Sequence, residues 1–231
     1  MQTIVNNHQF RIDSIELGPM ENLIYLITDK ASQRCAVVDP AWEPQKLIQM
    51  AQNNQATISD ILLTHSHHDH INGVDAILDK YDSQLHLLKA EADFWQNKSH
   101  QLNLCYGGDE IQLGKTTIQI LYTPGHTPGS ACYKIADYLI TGDTLFVWGC
   151  GHCRLGGDPE ILYDTLTKLA QLPQQIMTLP GHNYADKTTA TMAEQCQGNP
   201  FLHFHKKADF VDYRTNIHDE IRQYPYTAEL K

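Results

Sequence analysis

Residues His65-Ser66-His67-His68-Asp69-His70 crowd imidazoles and a carboxylate into one short segment, directly behind the apolar run Ile61-Leu62-Leu63. Successive side chains of a strand alternate between faces, so His65 and His67, two apart at a strand end, project to the same side. A turn that follows carries Asp69 and His70 toward a second position. Imidazole nitrogen and carboxylate oxygen are the usual ligands of zinc and non-haem iron, so the segment predicts a metal site at the end of a strand. His68 falls between these positions and points away. Such a site needs further ligands from elsewhere in the chain, which constrains the fold that can deliver them.

Three downstream segments place a candidate ligand beside glycine or proline after a β-prone run. They are Thr123-Pro124-Gly125-His126-Thr127-Pro128-Gly129, Thr141-Gly142-Asp143-Thr144 and Leu179-Pro180-Gly181-His182-Asn183-Tyr184, behind residues 118–122, 138–140 and 176–179. In each, a strand leads into a turn where backbone can pass close to an ion. Four ligand-bearing loops at strand ends make a site.

In this order and spacing, His-x-His-x-Asp-His, Pro-Gly-His, Gly-Asp and Gly-His resemble the metallo-β-lactamase superfamily across about residues 10–190. Within it, Thr141-Gly-Asp-Thr-Leu-Phe-Val-Trp-Gly-Cys-Gly151 and Pro180-Gly-His-Asn-Tyr184 are similar to the glyoxalase II group, the hydroxyacylglutathione hydrolases. The resemblance implies an α/β fold, a four-layer αβ/βα sandwich. It implies two divalent ions, zinc foremost, with iron or manganese also suited to His and Asp ligands. His65, His67 and His126 would hold one ion, Asp69, His70 and His182 the other, and Asp143 would bridge them. A hydroxide shared by the ions would attack a thioester of glutathione type, with Asp69 and Asp143 in catalytic roles and Asp69 orienting the nucleophile. Tyr184, Arg154 and His152 would contact the substrate.

The resemblance admits two other activities. Mononuclear iron persulfide dioxygenases of the same fold would use His65, His126 and Asp143 as a facial triad. Lactone or ester hydrolases share the motif as well. An aspartate at the bridging position resembles thioester, lactone or persulfide members, not penicillin-hydrolysing ones. A binding module without catalysis is disfavoured, because an open-sited ligand set would then serve no purpose.

With 231 residues, 42% of them hydrophobic, and no linker-like tract, the chain can bury one sizeable core. A catalytic domain over 1–195 with a helical extension over 196–231 packed on it is expected. That extension is shorter than the helical domain of glyoxalase II enzymes. A net charge of -10 argues against a nucleic-acid partner, since phosphate binding needs lysine and arginine to displace counterions. No apolar run reaches membrane-spanning length and the N-terminus lacks a targeting pattern, so a cytoplasmic location without membrane partners is expected. The six cysteines form no secreted framework; Cys150-Gly-His-Cys153 has no second pair to complete a zinc knuckle.

Periodicity predicts strands over 10–17, 23–28, 35–39, 58–64, 85–88, 116–122, 131–135, 138–141 and 176–179. Helices are predicted over 44–53, 72–81, 90–96, 159–169 and 185–195. After Asn199-Pro200 the chain reads as one amphipathic helix with Phe210, Tyr213, Ile217 and Ile221 on its apolar face. Lys206, Lys207, Arg214 and Arg222 then form a solvated face.

Overall fold

The apolar run of β3 (Asn22–Asp29) is buried at every position, as expected of a strand covered on both faces. A computed structural model describes residues 1–230. The chain forms two compact units, Met1–Ile120 and the residues from Leu121 onward.

In the first unit, β1 (Gln2–Asn6), β2 (Phe10–Leu17), β3 and β4 (Arg34–Val38) pair antiparallel in a meander. From β4 the pairing becomes parallel through β5 (Thr57–Leu62), β6 (Gln84–Leu88) and β7 (Leu102–Cys105), which completes a seven-stranded sheet in chain order. Parallel neighbours need crossovers. These are supplied by α1 (Pro44–Asn53), by α2 (His68–Ile71) with α3 (Val74–Leu78), and by α4 (Lys89–Trp95). Leu47, Ile48 and Ala51 of α1 and Val74 and Ile77 of α3 pack with Val37, Ile61 and Leu85 of the strands. A hairpin of β8 (Glu110–Leu113) and β9 (Thr116–Tyr122) follows, and the boundary between the units falls within β9.

In the second unit, β10 (Ala131–Ile135) and β11 (Tyr138–Gly142) form a hairpin. Helix α5 (Pro159–Leu169) crosses to β12 (Met177–Pro180), parallel to β11, and β13 (Ala190–Thr191) returns antiparallel. Asp158 caps α5 by accepting from the backbone of Glu160 and Ile161, and Pro159 takes the first turn, where its missing N–H is no loss. Leu162, Leu166 and Leu169 of α5 share a core with Leu139, Ile176, Met192, Phe201 and Phe210.

Several expected elements differ. Of the helix expected over 72–81 only α3 (Val74–Leu78) forms, and the separate helix α2 (His68–Ile71) precedes it across Gly73, whose N–H donates to Pro40 O. The helix expected over 185–195 starts only at Met192, as α6 (Met192–Gly198). Thr191 and Glu194 form a reciprocal capping box there, and Ala190 is held in β13. The single C-terminal helix is broken into a 3-10 turn Pro200–Leu202, α7 (Lys207–Asp212), a π-helical turn Tyr213–Ile217 and α8 (His218–Ile221). The π turn shifts the inward face. Phe210, Arg214 and His218 are buried, while Ile217 and Ile221 are exposed. Arg214 therefore leaves the solvated face assigned to it. Strands β1, β7, β8 and β13, which periodicity did not predict, are only two to five residues long. Among the described residues no helix is long and apolar enough to cross a membrane.

Candidate metal centre

In the first unit, the loop behind β5 is built on Asp39, at the end of the adjacent strand β4. Asp39 Oδ1 accepts from Thr64 N at 2.7 Å, and its Oδ2 from Thr64 Oγ1 at 2.6 Å. The hydroxyl proton being spent on Asp39, Thr64 Oγ1 accepts from His65 Nδ1 at 3.0 Å. His70 Nδ1 donates to Asp39 Oδ2, also at 3.0 Å. Each bond makes Nε2 the lone-pair nitrogen of its ring, the arrangement in which a carboxylate beyond the histidine orients a metal ligand.

The neighbouring side chains complete this set. His70 Nε2 lies 3.3 Å from Asp69 Oδ2. Asn22 Nδ2 donates to both Asp69 O and Asp69 Oδ2 at 3.0 Å, and Trp42 Nε1 fixes that amide by donating to Asn22 Oδ1 at 2.7 Å. The rings of His67 and His70 stand 4.6 and 4.1 Å from that of His65. Ser66 is anchored from below, its N and Oγ donating to the fully buried Glu91 at 2.8 and 2.6 Å. His68 is exposed.

In the second unit, Gly125 holds φ at +133°, and a Cβ there would meet the backbone of Leu162 at 2.4 Å. The turn thus packs directly on α5 and projects His126. His126 Nδ1 donates to His152 O at 2.6 Å, which again makes Nε2 the lone-pair nitrogen. That Nε2 lies 3.6 Å from Asp143 Oδ2, and His182 Nε2 lies 3.4 Å from the same oxygen. Gly181 N donates to Gly142 O at 2.9 Å, which ties the two ligand loops together where β11 and β12 end.

These separations fit a cation. Donors about 2.0 to 2.2 Å from a common ion stand roughly 3.4 Å apart in tetrahedral geometry, and one Asp143 oxygen keeps that spacing from two imidazoles. Tyr184 stacks on His182 with centroids 4.7 Å apart and planes at 10°, and Phe146 meets both rings edge-on. His152 lies with its ring 5.3 Å from that of His126. Arg154 is largely exposed and its guanidinium is engaged by Asp219 at 2.7 Å.

Sequence reasoning missed Asp39, Asn22 and Glu91. Val37-Val38-Asp39-Pro40 carried a usable signal, an acidic residue and proline closing an apolar strand as in the other ligand loops. Replacing Asp39 with asparagine should weaken metal binding about 10- to 100-fold, read by chelator competition on purified protein. Unchanged affinity would reduce Asp39 to a packing role.

The model of the metallo-beta-lactamase superfamily matches residues 17–182. A probable polyketide biosynthesis zinc-dependent hydrolase of Bacillus velezensis is 34% identical over 195 residues, covering 84% of this chain and 87% of its own. A hydroxyacylglutathione hydrolase of Photorhabdus laumondii is 37% identical over 164 residues, 71% of this chain and 63% of that protein. The crystal structure of ETHE1 from Myxococcus xanthus superposes with a TM-score of 0.81 at 28% identity, covering 89% of this chain and 90% of that one. With two β-sheets, flanking helices and the His/Asp order of that superfamily's metallo-hydrolases, the chain belongs to the metallo-beta-lactamase superfamily.

Proposed function

We propose that the chain's His/Asp ligands hold two divalent ions, and that the protein is a metal-dependent hydrolase of a thioester of glutathione type. The observation that carries this reading is Asp143, whose Oδ2 keeps 3.6 and 3.4 Å from the ligand nitrogens of His126 and His182. One carboxylate placed between two imidazoles suits a bridge. In this reading His65, His67 and His126 serve one ion, Asp69, His70 and His182 the other, and Asp143 both.

Two such ions, zinc foremost, would polarise a carbonyl and lower the pKa of a shared water toward about 7. The chain's own residues set up what surrounds them. Asp39 and His152 O fix the tautomers of His70 and His126, so their lone pairs need no rearrangement on binding. Asn22 holds the Asp69 carboxylate in a single orientation, from which it can accept a proton of the attacking water. A thiolate is a good leaving group and needs no strong acid. Tyr184 and His152 are assigned to the thiol moiety, and Arg154 to an anionic end that would compete with Asp219 for the guanidinium.

The similarity to a hydroxyacylglutathione hydrolase supports a glutathione thioester. The similarity to a polyketide biosynthesis hydrolase supports hydrolysis with a different thiol or acyl partner. The test is metal content per chain on protein purified without added metal, with glutathione-thioester cleavage and persulfide-dependent oxygen uptake measured on the same sample. About two ions with cleavage supports the reading. About one iron with oxygen uptake and no cleavage overturns it in favour of a dioxygenase using His65, His126 and Asp143. Tyr184→Phe should raise KM a few-fold and leave kcat near its original value, about the effect of one lost hydrogen bond; unchanged KM would remove Tyr184 from the substrate site.

A further inference from the structure

Arg214 is 5% exposed, an unusual depth for a guanidinium. A buried charge is costly unless it is paired and hydrogen-bonded. Arg214 donates to Asp219, its guanidinium carbon lies 5.4 Å from the Phe201 ring centroid, and its charge is felt by the Cys150 thiol. Burial pushes the Cys150 thiol up to about 12, so the sulfur it meets is neutral. Asp219 also accepts from Arg154 Nη2 at 2.7 Å. His218 Nδ1 lies 3.2 Å from both Arg214 and Asp219.

Arg154, which the cluster holds, and the buried Cys150, which feels the Arg214 charge, bracket the short stretch that touches the proposed metal ligands. Gly151 N donates to Asp143 O at 2.9 Å, and His152 O accepts from His126 Nδ1 at 2.6 Å. A Cβ on Gly151 would stand 2.3 Å from Asp143 O and 2.6 Å from His126 Nδ1, so the backbone is seated directly on both residues. On its other side lies a cavity of about 190 Å³ lined by His152, Cys153, Arg154, Pro159, Arg214 and Thr215. Cys150 and Cys153 pack into the core on either side of the stretch, and between them the hydrogen bonds of Gly151 and His152 set its path.

We propose that Arg214, with Asp219, is a positioning residue for the metal centre: by holding Arg154 through Asp219 beside the buried Cys150, it sets the His152 carbonyl that orients His126. The inference rests on His126 being a metal ligand. Lysine keeps the charge but lacks the planar fork that reaches Asp219 and His218 together.

The experiment compares Arg214→Lys, Arg214→Met and Asp219→Asn with the parent protein and with His126→Ala. It reads cobalt affinity by chelator competition, the visible spectrum of the cobalt-loaded protein, and the melting temperature without metal. Arg214→Met should lower cobalt affinity about tenfold or more and alter the spectrum, as expected for loss of an outer support. Arg214→Lys and Asp219→Asn should fall between it and the parent, and they decide the matter if the methionine variant does not fold. Parental affinity and spectrum in both, with only a lower melting temperature, would overturn the proposal and leave Arg214 a structural ion. A parental cobalt spectrum in His126→Ala would instead overturn the metal-centre reading itself.

Discussion

Replacement of Asp143 by alanine is expected to lower thioester turnover by roughly 10³-fold or more and to leave at most one ion bound per chain, with the fold intact. The effect is large because a single oxygen serves two sets of ligands, lying 3.6 Å from His126 Nε2 and 3.4 Å from His182 Nε2. In the proposed centre, losing any terminal histidine ligand would weaken one ion, whereas losing this carboxylate would weaken both. It would also remove the negative charge that offsets the two proposed dications. Metal analysis together with steady-state kinetics checks the prediction. Full turnover with two ions retained would rule out a bridging role for Asp143, and a carboxamide at the same position should recover little, being neutral.

The second large effect concerns the fold. Phe210 is fully buried, its ring 5.5 Å from that of Tyr163, 5.8 Å from Phe201 and 5.9 Å from Phe204. Phe210→Ala should destabilise the protein by about 3 to 5 kcal/mol, the transfer cost of the ring plus that of the cavity left among neighbours already engaged with one another. Ile221→Ala, at a position 60% exposed, should change stability by less than about 0.5 kcal/mol. Denaturant unfolding of the two variants distinguishes the observed broken terminus from a continuous amphipathic helix, for which both residues would be core. Equal losses would favour the continuous helix.

That contrast marks where sequence periodicity stops being informative. A 3.6-residue pattern assumes an uninterrupted helix, and the π turn over Tyr213–Ile217 adds a residue to the ladder. The inward face then passes to Arg214 and His218, side chains a hydrophobic pattern discards by their chemistry. Helices α1 and α5 were legible to the residue because nothing interrupts them and each opens on a proline in its first turn. The start of α6 was legible in principle, since Thr191-x-x-Glu194 is a capping signature, but the polar run before it gave no reason to end the preceding element.

The candidate ligands could be read from the chain because each lies one to eight residues beyond a strand end, in the segment that leaves it, a purely local arrangement. Strand alternation and glycine or proline geometry act over that range, so His65, His67, Asp69, His70, His126, Asp143 and His182 needed no tertiary information to be singled out. Their supports did. Asp39 reaches Thr64 and His70 only because β4 lies parallel beside β5 with Val38 opposite Leu62, which aligns the two strand ends across 25 residues of sequence. Asn22 comes to Asp69 from the third strand of the sheet, Glu91 to Ser66 from α4, and Arg214 to Cys150 from the C-terminal turn. Which residues can act as ligands is a matter of side-chain chemistry and local backbone; which buried groups orient them is a matter of strand register and core packing, where residues distant in sequence become neighbours.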